Sequence, residues 1–389
     1  MKPRKAPLAS DNTDKLSDLP DALLHKILSF INMTSVIQNS ILSKRWRYLW
    51  KSLPTLKFHS DDMYQKSFRN LYMREEDVIV YFIDQVLARR ERSDIQRLDI
   101  VIYDVKSYFG DHLYSWIHVV VDCNVQELSI EIWDNQQVKI PACLFTCTSL
   151  TKFELAVNGR HNYGEIFLPD AIDLPRLKCL KFEGLGFEDE DLTDKFFSKY
   201  PNLESLKIVD TYIEFDIYFP NLEVFILEFN DVRCPMATLQ EDWYGSSNTI
   251  KLIALKLTFL RCKGLISEDN VIENLSSIKT ADIDIKLLED MRWYHNGLEE
   301  EDSGLSAEDV ESGKLMVKFL SALSDVKFLT LSHRVLKLDP PPARTGSGQP
   351  RKVSGNDIII IVFVLDAFDG GGRIHIPSRA LIDLPEDKW

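Results

Sequence analysis

Eight histidines, six cysteines and sixty carboxylates give this chain of 389 residues the raw material for acid–base or metal chemistry, yet their spacing assembles none of it. His25, His59, His112, His118, His161, His295, His333 and His375 include no HExxH pair, whose spacing would put two ligands on one helical face. His112 and His118 stand six apart, off a shared helical face. Cys143 and Cys147 are four apart and would meet on a helix, but neither has a histidine at ligand spacing, so no zinc site is expected. Together with Cys123, Cys179, Cys234 and Cys262 they read as buried, reduced thiols. No GxSxG elbow or paired GxG loop occurs, and GGGR at Gly370 lacks the lysine and hydroxyl residues of a phosphate loop. The expectation is a binding protein with no catalytic residue, no metal and no cofactor, and not an enzyme.

Charge narrows the partners. A formal net charge of -14 argues against nucleic acid, because a phosphate-binding surface needs basic groups to release counterions. Residues 1–60 hold ten Lys or Arg against four Asp, a balance of +6, and residues 61–389 hold 36 against 56, a balance of -20. That basic N-terminal charge sits on amphipathic helices, which fits an acidic protein partner better than a nucleic acid. The leader MKPRKAPLASDNTDK has no apolar run and reads as a disordered start, not a signal peptide. The longest apolar run, Ile358 to Leu365, has eight residues, well short of the roughly 20 that cross a bilayer. No membrane association is expected, and the location should be intracellular, in nucleus and/or cytoplasm.

Binding chemistry concentrates first in LPDALLHKILSFINMTSVIQNSILSKRWRYLW, Leu19 to Trp50. Ser17 and Asp18 can cap a first helix, with Pro20 tolerated at its start. Leu19, Leu23, Leu24, Ile27, Leu28 and Ile31 recur at three- and four-residue spacing along it. Thr34 and Ser35 are cap candidates for a second helix with Val36, Ile37, Ile41 and Leu42, and Ser43 for a third with Trp46, Leu49 and Trp50. Three such helices bury too little to fold alone, since domains below roughly 40 residues usually need a metal, disulfide or partner.

The LPDALLHKILSF opening and LSKRWRYLW close resemble an F-box of the plant type. The resemblance implies docking onto a small Skp-type linker protein that joins the chain to a cullin-based ubiquitin ligase. Carried over by position, Leu19, Pro20, Leu23, Leu24, Ile27, Leu28 and Ile31 would form the docking face, with Leu42, Trp46, Leu49 and Trp50 completing it. Ala22 stands where an acidic residue is common and Asn32 where a proline often breaks the chain.

After a connector whose Val78, Tyr81, Phe82, Val86 and Leu87 predict one amphipathic helix ending in the charged run Arg89 to Arg92, a second pattern takes over. An apolar residue occupies positions one, four and six in IQRLDI (Ile95), VQELSI (Val125), LTKFEL (Leu150), LKCLKF (Leu177), LESLKI (Leu203), LEVFIL (Leu222), LIALKL (Leu252), IKTADI (Ile278) and VKFLTL (Val326). Positions four and six point to one side of a strand, so each unit buries one face against its neighbours, as in stacked leucine-rich repeats. The residues between would face a concave surface: Arg97, Asp99, Glu127, Glu131, Lys152, Glu154, Lys181, Glu183, Lys207, Glu228 and Lys256. Of these, Arg97, Glu127, Lys152, Lys181, Lys207, Glu228 and Lys256 are the candidate target-binding residues. An asparagine two residues beyond the last strand leucine appears only at Asn158 and Asn230, so few amides serve the turns and an irregular arc is expected. IPACLFTCTSL and LPRLKCLKFEGLGFEDEDLTDKFFSKYPNLESLKI, within Ile140 to Ile208, closely resemble plant F-box proteins with degenerate leucine-rich repeats, of the F-box/FBD/LRR kind.

The fold class expected is α/β: a three-helix F-box followed by an irregular leucine-rich-repeat solenoid with a parallel β-sheet on its concave face. The expected divisions are a leader at 1–14, the F-box at 15–58, a helical connector at 59–94, repeats at 95–338 with an acidic solvated insert at 298–313, a linker at 339–357 and an atypical tail at 358–389, where the family's C-terminal module is missing or replaced. The resemblance implies a substrate-recruiting adaptor of a Skp-cullin-F-box ligase, working by proximity on an unknown protein substrate. Two alternatives stay open: a scaffold or decoy with a defective, uncapped arc, and a small-molecule receptor with a pocket in the arc.

Overall fold

The computed structural model describes residues 19–41, 44–61, 75–103, 109–133, 140–158, 164–166, 168–169, 171–187, 190–211, 213, 215–229, 250–265, 271–273, 275–286, 323, 326–332 and 373–377. The acidic insert, the linker and the apolar octet Ile358 to Leu365 lie outside them.

Three short helices open the chain: α1 (Asp21–Leu28), α2 (Met33–Asn39) and α3 (Trp46–Leu49), the last running into a 3-10 turn at Trp50–Ser52. The Pro20 carbonyl accepts from the Leu23 and Leu24 amides at 2.9 and 3.2 Å. Ser17, Asp18 and Ser43, expected as caps, are outside the described residues. The cap of α2 corrects the expectation of Thr34 or Ser35. Asn32 holds that place, its Oδ1 accepting from the Ser35 amide at 2.8 Å, because a short carboxamide in extended backbone satisfies a free first-turn N–H.

The chain then enters an 11-stranded sheet. Its members are β1 (Thr55–His59), β2 (Arg97–Tyr103), β3 (Glu127–Trp133), β4 (Lys152–Val157), β6 (Cys179–Glu183), β8 (Ser205–Val209), β10 (Val224–Glu228), β12 (Phe259–Leu265), β14 (Thr280–Lys286), β15 (Phe328–Ser332) and β16 (Arg373–Pro377), adjacent in that order. Every pairing is parallel except β15 with β16, which is antiparallel. Smaller parallel sets are β5 (Gly164–Glu165) with β7 (Leu185–Gly186), and β9 (Phe215–Tyr218), β11 (Ile250–Ile253) and β13 (Val271–Glu273).

The one-four-six pattern explains the burial. Ile95, Leu98 and Ile100, or Leu150, Phe153 and Leu155, are at most 1 % exposed, while Arg97, Asp99, Lys152 and Glu154 between them stay half-exposed. Helices α4 (Glu75–Arg89), α5 (Phe109–Asp122) and α6 (Glu190–Phe197) contribute Ile83, Leu113, Trp116 and Phe196 to the same continuous core. The α4 helix contains the stretch expected from Val78 to Leu87.

Two corrections concern the repeats. The sheet begins one strand before Ile95: LPTLKF carries the same pattern at Leu53, Leu56 and Phe58, all buried, so the end of the F-box segment is already the first repeat strand. The unit placed at Leu252 is five residues out of register. Leu252 belongs to β11, and the main-sheet unit is LTFLRC, with Leu257, Leu260 and Cys262 fully buried and Leu255 half exposed. The tail strand is β16, beyond the glycines, and it pairs along β15 from Phe328↔Pro377 to Ser332↔Arg373.

Neighbouring repeats are stitched at the turn entering each strand. Pro54 O accepts from the Gln96 and Arg97 amides, and Gln126 O from those of Thr151 and Lys152. The asparagine amides act here as well: Asn202 Nδ2 donates to Pro175 O at 2.8 Å and Asn221 Nδ2 to Pro201 O at 2.7 Å.

Candidate docking and recognition surfaces

The structure divides the eleven F-box positions into three groups. Leu24, Leu28 and Leu49 are buried in the chain's own core, and Leu19, Ile31, Trp46 and Trp50 pack half-buried against it. Pro20, Leu23 and Ile27 are exposed; Leu42 is outside the described residues. The α1 helix is therefore apolar on two sides. Its inner side carries the buried Leu24 and Leu28, and its outer side, Leu23 at 52 % and Ile27 at 41 %, continues to Phe30 at 71 % exposure. Ile41 and Tyr48 are also open. Phe30 lies three residues after Ile27, so its place on the outer stripe was visible in the spacing. An ion pair of Arg45 with Asp21, 2.6 Å, holds the approach to α3 against the start of α1.

On the half-exposed face of the sheet, side chains fall into in-register rows. One row runs Arg97, Glu127, Lys152, Cys179 and Ser205; the next runs Asp99, Ser129, Glu154, Lys181 and Lys207. A third runs Val101, Glu131, Ala156, Glu183, Val209 and Glu228. The candidate target-binding charges are largely spent on one another: Lys152 lies 3.0 Å from Glu154, Lys181 2.9 Å from Glu183, and Lys207 3.5 Å from Glu228. Arg97 reaches Asp99 at 3.3 Å and Glu127 at 3.8 Å. Lys256 is not on this face. It sits in the turn before β12 with Nζ donating to Asn221 Oδ1 at 2.6 Å, a consequence of the five-residue register correction. The strand residue that sequence reasoning missed is Arg261, which bridges Glu228 and Asp282 at 3.4 and 2.9 Å.

Burial pushes the Asp99 carboxyl up, but His59 and Arg97 outweigh it and hold the group below the usual carboxylate range. His59 Nε2 lies 3.9 Å away, a charge contact longer than a hydrogen bond. At the far end of β2 and β3, Tyr103 and Trp133 were not singled out in the sequence, although both continue the alternation of their strands. Their rings lie 5.4 Å apart, tilted by 55°, and Trp133 is 45 % exposed.

The histidines and cysteines separate in space differently than in sequence. His112 and Trp116 both meet Asp84 on α4, at 3.1 and 2.7 Å, which fixes α5 against α4. His118 instead lies 3.4 Å from Cys143 Sγ, a contact between elements that spacing along the chain could not show. Desolvation, with Asp122, pushes the Cys143 thiol up, away from a thiolate nucleophile. No group of three metal-ligating side chains occurs among the described residues. Nor, among them, is any helix long and apolar enough to cross a membrane.

The chain thus places a helical segment with an outward apolar face before a stack of parallel strands, and both parts find matches among known proteins. Residues 16–58 match the F-box domain, and residues 113–232 match the family described as FBD-associated F-box protein At5g56370, LRR repeats. Similar proteins are known from Arabidopsis thaliana. The F-box/FBD/LRR-repeat protein At2g26030 is 26 % identical over 337 residues, covering 84 % of this chain and 69 % of the relative. The F-box/LRR-repeat protein At4g14103 is 27 % identical over 341 residues, 85 % of this chain and 80 % of the relative. The putative FBD-associated F-box protein At5g56700 is 35 % identical over 203 residues, half of this chain and 46 % of the relative.

Proposed function

We propose that the chain is a substrate-recruiting adaptor of a Skp-cullin-F-box ubiquitin ligase. The observation that carries this reading is the outward face of Pro20, Leu23, Ile27 and Phe30, which lies within the F-box match and which the chain's own core leaves open. Burying a leucine or isoleucine of that kind against a partner is worth about 1.5–3 kcal/mol. Of the expected docking residues, Leu24, Leu28 and Leu49 support that face from beneath instead of forming it. The sheet would hold a target beside the ligase, and the adaptor would act through effective concentration, without contributing a nucleophile. The decoy reading presumes an arc left open at its end; β16, paired along β15, does not favour it.

The test is binding of the purified chain to a purified Skp-type linker protein by isothermal calorimetry, comparing wild type with Leu23→Asp/Ile27→Asp. Both side chains are exposed, so the double variant should keep its circular dichroism while losing at least about 100-fold in affinity. Undiminished binding by that variant would overturn the reading. A Leu24→Asp variant is no substitute, since a charge at a fully buried position would unfold the segment.

A further inference from the structure

Much of the half-exposed sheet face neutralises itself through ion pairs along and between strands; Glu131 on β3 is not part of that pairing. On β6 and β10 the third-row carboxylates, Glu183 and Glu228, meet lysines from the row below. On β3 that lower position is Ser129, and the third-row Glu131 accepts only from neutral donors. Trp133 Nε1 donates to it at 2.9 Å and Asn158 Nδ2 at 3.3 Å. Both bonds end on Oε1, leaving Oε2 without a partner among the described residues. The bond to Glu131 also fixes the indole, with the Tyr103 ring packed against it. Desolvation raises the Tyr103 phenol above its usual range, and the Asp61 and Glu131 carboxylates add to the shift.

We propose that Tyr103, Trp133 and Glu131 form a cation-accepting ledge that seats the arginine or lysine side chain of a recruited polypeptide. An aromatic face attracts a cation through its quadrupole, most strongly for tryptophan, and an adjacent carboxylate oxygen gives the cation a directional hydrogen bond. The ledge selects against acidic segments, which would meet the Glu131 carboxylate at close range. The net charge of -14 adds a long-range field of the right sign for a basic target. In calling the occupant a target, the inference rests on the adaptor reading; the site itself is independent of the linker protein.

The experiment is fluorine NMR of the full chain labelled with 5-fluorotryptophan, with the Trp133 resonance assigned by its loss in Trp133→Phe. N-acetyl-arginine amide and N-acetyl-lysine amide are titrated separately, against N-acetyl-citrulline amide and N-acetyl-glutamate amide. The basic probes should shift the Trp133 resonance saturably, the neutral and acidic probes should not, and Glu131→Gln should weaken the response at least about fivefold. The remaining tryptophan resonances report whether each variant is folded. An unmoved Trp133 resonance, an equal response to citrulline, or an unchanged response in a folded Glu131→Gln variant overturns the proposal. Because no linker protein is present, failure here leaves F-box docking untested by this result and still open to the calorimetric measurement.

Discussion

The hydroxyl of Tyr200 is buried and has no hydrogen-bond partner among the described residues, while its ring packs edge-on against Phe196 at 5.0 Å. Burial pushes the phenol well above its ordinary range, so it stays neutral at any physiological pH. A buried polar group without a partner costs about 1–3 kcal/mol, whereas the ring alone contributes packing. Tyr200→Phe should therefore leave the fold intact and stabilise it by about 1 kcal/mol, read as a higher urea midpoint at unchanged slope. A lower midpoint would show that the hydroxyl is satisfied after all, as by a buried water. Nothing in SKYPNL foretold this burial; a tyrosine before a proline reads equally well as a half-wet turn residue. The same limit applied to Leu23 and Leu24. Both belong to one apolar helix, and only the packing of the folded chain, which buries Leu24 and leaves Leu23 at 52 % exposure, decides which turns outward.

At the scale of elements, strands were legible because a one-four-six pattern demands a strand with one buried face, and eight of the nine predicted units have main-sheet strands in that register. The failures came where the pattern is degenerate. Apolar residues at 252, 255, 257, 260 and 262 satisfy two overlapping frames, and the frame is chosen by β11 claiming Leu252 for a second sheet. Leu53, Leu56 and Phe58 were passed over because they finish a helical segment. Cross-strand charge pairing was illegible too, since it depends on register between strands about 20 residues apart in sequence, as with Lys207 and Glu228. Asp99 tests how much such pairing contributes. Its folded pKa is depressed, so its contribution to stability is complete above the unfolded value of about 3.9 and is lost as pH falls through the lower folded value. Asp99→Asn should cost about 1 kcal/mol at pH 7, and the gap to wild type should close in that acid window. A gap that persists unchanged at the acid end would show that packing, not charge, accounts for the loss.

At the scale of the molecule, the N-terminal helices were legible as a segment too small to fold alone, but the contacts that join them to the repeats were not. The charged run Arg89 to Arg92 does not by itself reveal which of its members is buried. Arg90 is in fact buried: Nη1 donates to Ser93 O at 2.8 Å and Nη2 to Leu53 O at 3.1 Å, while the Glu91 amide donates to Lys51 O at 2.9 Å. One guanidinium thus ties the end of α4 to the chain between α3 and β1, where F-box and sheet meet. Burial lowers its pKa, and the carbonyls it serves would lose their donor on truncation. Arg90→Met should cost about 2–3 kcal/mol, the usual scale for charged hydrogen bonds lost at a buried site. In a stacked array each unit contacts its neighbours, so the loss should stay near the junction. Hydrogen exchange of the full chain should show lost protection in α1, α2 and β1 while β6, β8 and β10 keep theirs. Uniform loss along all strands would mean instead that F-box and repeats unfold as one cooperative unit, and docking at the outer face of α1 would then bear on the stability of the entire sheet.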